Sequence, residues 1–197
     1  MDNLKDTDSE QPSTENPVTE VRVNENKLNA YIEKLKLEQN LPMALMAGLG
    51  ASLIGALLWA TITVVTEYQI GYMAIAVGFM VGYAVRYLGK GLDQIYGIIG
   101  AVFALLGCLM GNFFSIVGFA ANELGLGYLE ALNSIDLGVI PEIMGDTFSP
   151  IDILFYGIAI YEGYKFAFRP ITEEEILEQA AEKVTTNNEE SKYDSLK

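Results

Sequence analysis

Arg86 and Glu162 are the charges set deepest in apolar sequence, within "GYMAIAVGFMVGYAVRYLGKG" and "PIDILFYGIAIYEGYKFAF". Charge at membrane depth is costly and marks either function or pairing. On one reading Glu162 is a gate or a proton-coupled carboxylate. On the other it pairs with Arg86 near one interface, both stems running along apolar surface. The pair is expected, with Lys165, three residues from Glu162, as a local competitor. Five more carboxylates, Glu123, Glu130, Asp136, Glu142 and Asp146, lie in a stretch without Lys or Arg. They would suit a cation-collecting rim or a weak calcium site, but their spacing fits no oxygen-ligand loop. An ordinary outward-facing connection accounts for them.

Nothing else points to catalysis. The chain has no histidine, and G-x-S-x-G, a Walker-type glycine–lysine turn and CxxC are all absent. Cys108 is the single cysteine, lies in an apolar run, cannot form an internal disulfide and reads as packing. Asn112, Thr61, Thr63 and Thr66 would hydrogen-bond between helices. An enzyme of lipids or quinones using Glu162 or Asp152 is the weakest functional class; no cofactor or metal is expected. The net charge of −14 comes mostly from the two ends of the chain. Such acidity argues against nucleic-acid binding.

These residues must be positioned by four apolar runs, about 43–66, 68–88, 94–121 and 150–168, each near the ~20 residues that span a bilayer. Ser149, Pro150 and Asp152 mark the start of the last one, and Pro170 closes it. An acidic tail, 1–23, is too polar to fold. Residues 24–41 place Leu28, Tyr31, Ile32 and Leu35 at helical spacing, giving an amphipathic cytoplasmic helix. Residues 122–149 form an outer loop, with Leu124, Tyr128, Leu129 and Leu132 suggesting an interfacial helix. Residues 170–197 form an acidic cytoplasmic tail that opens with a short helix from Thr172 to about Val184. Lys27, Lys34, Lys36, Arg86, Lys90, Lys165 and Arg169 all fall on one side of the four spans, so both termini are expected in the cytoplasm.

Glycines recur in register. Gly71, Gly78, Gly82 and Gly89 share one face, and Gly100, Gly107, Gly111 and Gly118 repeat their spacing 29 residues later. Small residues in such a line let helix backbones meet in lipid. A tight antiparallel seam between the second and third spans is expected; an inverted repeat and self-association are the alternatives.

The stretches "GYMAIAVGFMVGYAVR" and "YGIAIYEGYK" resemble small four-span bacterial integral membrane proteins with no assigned activity. The resemblance implies a bacterial inner-membrane location and a four-helix layout, and carries over no ligand or catalytic residue. The expected protein is therefore all-α, an antiparallel four-helix transmembrane bundle with glycine-rich seams spanning 42–169. A structural or accessory membrane protein is the first functional reading, with the lipid bilayer, a second copy or other membrane proteins as partners. A small channel or transporter subunit with a path near Glu162 and Arg86 is the second.

Overall fold

The structure, a computed structural model, describes residues 19–68, 71–134, 138, 142, 145 and 149–185. These divide into two units: Ile32–Ile171, and the described parts of Met1–Tyr31 and Thr172–Lys197. In chain order the elements are β1 (Thr19–Val23), α1 (Glu25–Leu37), α2 (Leu41–Thr66), α3 (Met73–Gly89), α4 (Gln94–Leu124), α5 (Tyr128–Ser134), α6 (Pro150–Phe166), α7 (Glu173–Ala180) and β2 (Ala181–Thr185).

The helix ends follow from local chemistry. Asn40 caps α2, its side-chain oxygen accepting the Met43 N–H at 3.0 Å, and Pro42 sits in the first turn, where its missing N–H costs nothing. Left-handed residues close three helices: Glu67 (φ 57°) after α2, Lys90 (φ 50°) after α3 and Gly125 (φ 67°) after α4. Asp152 accepts the Ser149 N–H at 2.8 Å at the start of α6. Thr172 and Glu175 exchange capping bonds at the start of α7.

In the smaller unit β1 and β2 pair antiparallel, from Thr19↔Thr185 to Val23↔Ala181. The Asn24 N–H donates to the Ala180 carbonyl at 2.8 Å beside the last pair. Two expectations change here. Residues 19–23 form a strand where a disordered tail was expected, since Thr19, Val21 and Val23 alternate as strand formers once a distant partner is supplied. The helix expected to reach Val184 stops at Ala180, where the backbone turns extended. The tails expected over 1–18 and 186–197 lie outside the described residues.

In the larger unit α2 packs on α3 and α4, while α6 packs on both α3 and α4. Two helices, α2 with 26 residues and α4 with 31, are long and apolar enough to cross a membrane. The second and fourth runs form shorter helices of 17 residues each. α3 begins at Met73, because Tyr72 supplies no side-chain cap and the chain turns at Gly71. α6 ends before Pro170, which disfavours helical geometry in the residue preceding it. α5 occupies part of the connection read as an interfacial helix. Its Ala131 is buried with Val117 and Ala121 of α4, while Leu124 and Leu129 are exposed.

Side-chain size runs opposite to the order found in water. On α2 the buried face is Ala44, Ala47, Gly48, Ala51, Gly55, Ala56 and Ala60, whereas Met46, Leu49, Leu53, Ile54, Leu57 and Leu58 are exposed. On α4, Gly100, Ala104, Gly107 and Gly111 are inside, and Ile95, Ile98, Val102 and Leu106 are outside. Larger residues are buried too, among them Trp59 on α2 and Tyr96 and Ile99 on α4; Gly111 opposes Trp59, where a Cβ would meet the indole at 3.1 Å.

The expected seam between the second and third spans accounts for only part of the glycine contacts, Gly107 on Val77 and Gly89 on Tyr96; the others close on α6 and α2. Gly71 faces Phe155 of α6; a Cβ at Gly78 would lie 2.6 Å from the Ala159 carbonyl oxygen; and Gly82 faces Phe166 and the Glu162 carbonyl. Gly89 turns to Ala44 and Tyr96. In the second stripe Gly100 lies on the Gly163 backbone, Gly107 meets Val77 and Ser52, and Gly118 meets Val64. The reason is that α6 brings its own small pair, Ala159 and Gly163, four residues apart, opposite Gly78 and Gly82 of α3. Gly157, the other glycine of this helix, faces open space.

Because Gly78 abuts backbone, Gly78→Ala should lower unfolding stability in mild detergent by about 1–3 kcal/mol. Gly50→Ala, whose methyl meets nothing within 4 Å, should instead gain up to about 1 kcal/mol from helix propensity. Circular dichroism during denaturant titration measures both, and a neutral Gly78→Ala would contradict the contact.

Candidate functional site

The polar groups of the larger unit gather at the two ends of its packed helices. At the end where α1 meets α2 and α3 meets α4, four residues of one connection hold the other. Gln39 accepts the N–H groups of Leu92 (2.9 Å) and Asp93 (3.2 Å) through Oε1 and donates from Nε2 to Asp93 Oδ2 at 2.9 Å. Its amide thus satisfies two N–H groups immediately before α4, which no intrahelical carbonyl can reach. Lys36 adds an ion pair to Asp93 at 3.4 Å. Glu38 accepts from Arg169 at 2.9 Å and lies 3.8 Å from Lys90. The Asn40 N–H bonds the Gly89 carbonyl, and the Arg169 N–H bonds the Gly91 carbonyl. These bonds tie the start of α2, the α3–α4 turn and the chain beyond α6 into one latch. Nothing in the local sequence announces Gln39, because its partners lie more than fifty residues away.

The charges singled out from sequence lie near this end, but the structure does not pair them. No ion pair joins Arg86 and Glu162, and Glu162 Oε2 is buried without a hydrogen-bond partner. Aromatic packing displaces the pairing. Phe166 sits on Gly82 with its ring 5.2 Å from Tyr83 and 4.7 Å from Phe79. Arg86 turns to the Tyr83 face at 5.7 Å, and Lys165 lies over Tyr161 and Phe166 at 5.5 and 5.7 Å. Both cations thereby gain cation–π contact.

The opposite end has a different chemistry. The chain has no Lys or Arg between Lys36 and Arg86, or between Lys90 and Lys165. Here α2, α3 and α6 surround a cavity of about 650 Å³ lined by Thr66, Tyr68, Gly71, Tyr72, Ser149, Ile151, Asp152 and Phe155. Asp152 is only 7% exposed. One turn deeper on α6 is Tyr156, whose ring meets Trp59 edge-on at 6.3 Å. Trp59 Nε1 and Thr63 Oγ1 are buried without hydrogen-bond partners, and Thr63 is one turn from Thr66 at the cavity wall. Asn112 and Ser115 of α4 are buried polar residues, and Ser115 bonds its own helix at Gly111. Cys108 is fully buried, with its Sγ 4.0 Å from the Ala74 carbonyl oxygen.

A scan against protein-family models and searches of curated proteins and solved structures return no match to this chain. Its chemistry therefore rests on its own residues. Among the described residues no three His, Cys, Asp or Glu side chains gather to hold a metal ion. Glu123, Glu130 and Glu142 are exposed, while Asp136 and Asp146 lie outside the described residues. Thr61 and Thr66 bond their own helix, at Leu57 and Ile62. Beside α5 a second cavity of about 410 Å³ is lined by apolar residues such as Leu57, Ala60 and Val64 together with Thr61, Asn122 and Tyr128. The sequence marked Asp152 as a helix cap and as a candidate of the weakest, enzymatic class, and gave no signal for the three aromatic residues, Tyr68, Tyr72 and Phe155, that share its cavity.

The latch sets a pH dependence. Hydrogen bonding from Arg169 holds the Glu38 carboxyl below its ordinary value, and hydrogen bonding from Gln39 does the same for Asp93, in both cases against a smaller desolvation effect. A lowered folded-state value means stability that is present above the ordinary carboxylate range and lost as pH falls through it. The melting temperature should hold from pH 7 to about 5 and drop below about 4. Gln39→Ala should cost about 1–2 kcal/mol at neutral pH by leaving the Leu92 and Asp93 N–H groups unmatched. A pH series of thermal melts on both proteins checks this, and identical curves would contradict the latch.

Proposed function

We propose that this chain is a multi-pass integral membrane protein in which α2, α3, α4 and α6 all cross the bilayer, and that it serves as a structural or interaction component without catalytic activity. The observation that carries the reading is the inverted size order, with Gly and Ala between helices and Leu, Ile and Met outward. In water that surface would drive aggregation or burial. In hydrocarbon it is the solvated surface, and close backbone contact is what remains to hold helices together. At 17 residues α3 and α6 rise about 26 Å, near the lower limit for a span, and each lies along a longer helix.

Orientation follows the cations. Lys34, Lys36, Arg86, Lys90, Lys165 and Arg169 flank the same end of these helices, which supports a cytoplasmic location for both termini. The bacterial inner membrane is the location that the resemblance of "GYMAIAVGFMVGYAVR" and "YGIAIYEGYK" supports. The eight glycines of the two stripes are engaged within the chain, so association with a second copy or another membrane protein would use the outward Leu and Ile face instead.

The second reading, a channel or transporter path near Glu162 and Arg86, draws on the unpartnered Glu162 oxygen. Against it stands the contact of Gly78 with Ala159, one turn away, which leaves no lumen between α3 and α6. In a Cys108→Ala background, Gly127→Cys should react with an impermeant maleimide on intact cells and Lys90→Cys only after permeabilisation. The reverse pattern overturns the orientation. Vesicles carrying the protein should show no proton or cation flux above empty ones, and flux abolished by Glu162→Gln would establish the second reading instead.

A further inference from the structure

We infer that the cavity at the outer end of α2, α3 and α6 is a binding site for an organic ammonium group, held by the Asp152 carboxylate and the aromatic faces around it. Three features of the cavity combine. Asp152 is a nearly buried carboxylate with no Lys or Arg at its end of the packed helices, so its charge has no counterpart within the unit. The start of α6 stabilises this carboxylate through its N–H groups and dipole, and a cation in the cavity would supply the full opposite charge that the unit lacks at this end. Asp152 Oδ2 already accepts the Ser149 N–H, which fixes the group at the cavity wall. Tyr68, Tyr72 and Phe155 supply three aromatic rings to the same wall, with hydroxyls from Thr66 and Ser149.

The lining selects among cations. Calcium needs six to eight oxygen ligands and magnesium a full octahedron, whereas this cavity offers one carboxylate. A weakly hydrated alkylammonium gains from aromatic faces what it loses in hydration, and needs only one anion. The volume, about 650 Å³, lies in the range of small-molecule sites. An ammonium of this kind reaches the outer face from two sources, an aminophospholipid headgroup or a free soluble amine.

Trp59 is the single tryptophan and reports from beside Tyr156. The full chain in phosphatidylglycerol nanodiscs, titrated with tetramethylammonium or ethylammonium, should show a saturable change in its fluorescence. The neutral isostere tert-butanol should give none. Asp152→Asn keeps an oxygen to accept the Ser149 N–H and removes the charge, and should weaken binding about tenfold. Tyr72→Leu, at an exposed position, should weaken it about threefold or more while leaving the thermal transition in place. If tetramethylammonium binds more weakly in nanodiscs of phosphatidylethanolamine or phosphatidylcholine, the headgroup is the occupant. Equal affinity in all lipids identifies a free amine. No saturable response in phosphatidylglycerol, or an affinity unchanged within twofold in folded Asp152→Asn or in Tyr72→Leu, overturns the site.

Discussion

Two backbone contacts seat α6 in the larger unit: on α3 at Ala159 and Gly78, and on α4 at Gly163 and Gly100. Neither survives a side chain at the glycine, since the opposing atoms are carbonyl oxygens and Cα atoms that cannot rotate away. Each contact contributes through dispersion between atoms brought close together, the term left when apolar side chains gain nothing by leaving hydrocarbon. Large side chains face outward, and on α2 the outward face is mostly Leu, Ile and Met.

Placing α6 between α3 and α4 decides what happens at both ends. At one end it delivers Arg169 to Glu38 and to the α3–α4 turn, where Gln39 and Asp93 complete the latch. At the other it brings Asp152 and Phe155 against Gly71 and Tyr72, forming the cavity wall. The charge distribution follows the same axis. Cations crowd the latch end, and the cavity end holds carboxylates alone. Under the proposed membrane placement, a bilayer would separate such groups because moving a charge past its core costs several kcal/mol, and the asymmetry and the apolar belt would be two expressions of one environment.

Much of this was legible in the residues. The apolar runs, the Ser149 and Thr172 caps and the existence of glycine stripes depend on spacings of three to eleven residues, which a helix converts directly into geometry. What was not legible depends on partners far apart in sequence. The stripes recorded that α3 and α4 meet something closely, but the partner was hidden because Ala159 and Gly163 are inconspicuous beside Gly157. Arg86 and Glu162 match in depth, and their separation became visible only with Phe166 placed on Gly82. Gln39 and the β1–β2 pairing likewise join residues 50 to 166 positions apart.

The account turns on hydrocarbon, not water, surrounding the outward face of α2. Spin labels at Leu49→Cys, Leu53→Cys and Leu57→Cys, in a Cys108→Ala background and lipid nanodiscs, test this by collision with dissolved oxygen and with a water-soluble nickel chelate. Oxygen enriched in the bilayer should relax all three, and the nickel chelate should leave them untouched. Strong relaxation by nickel at Leu53 would place that face in water and contradict the account.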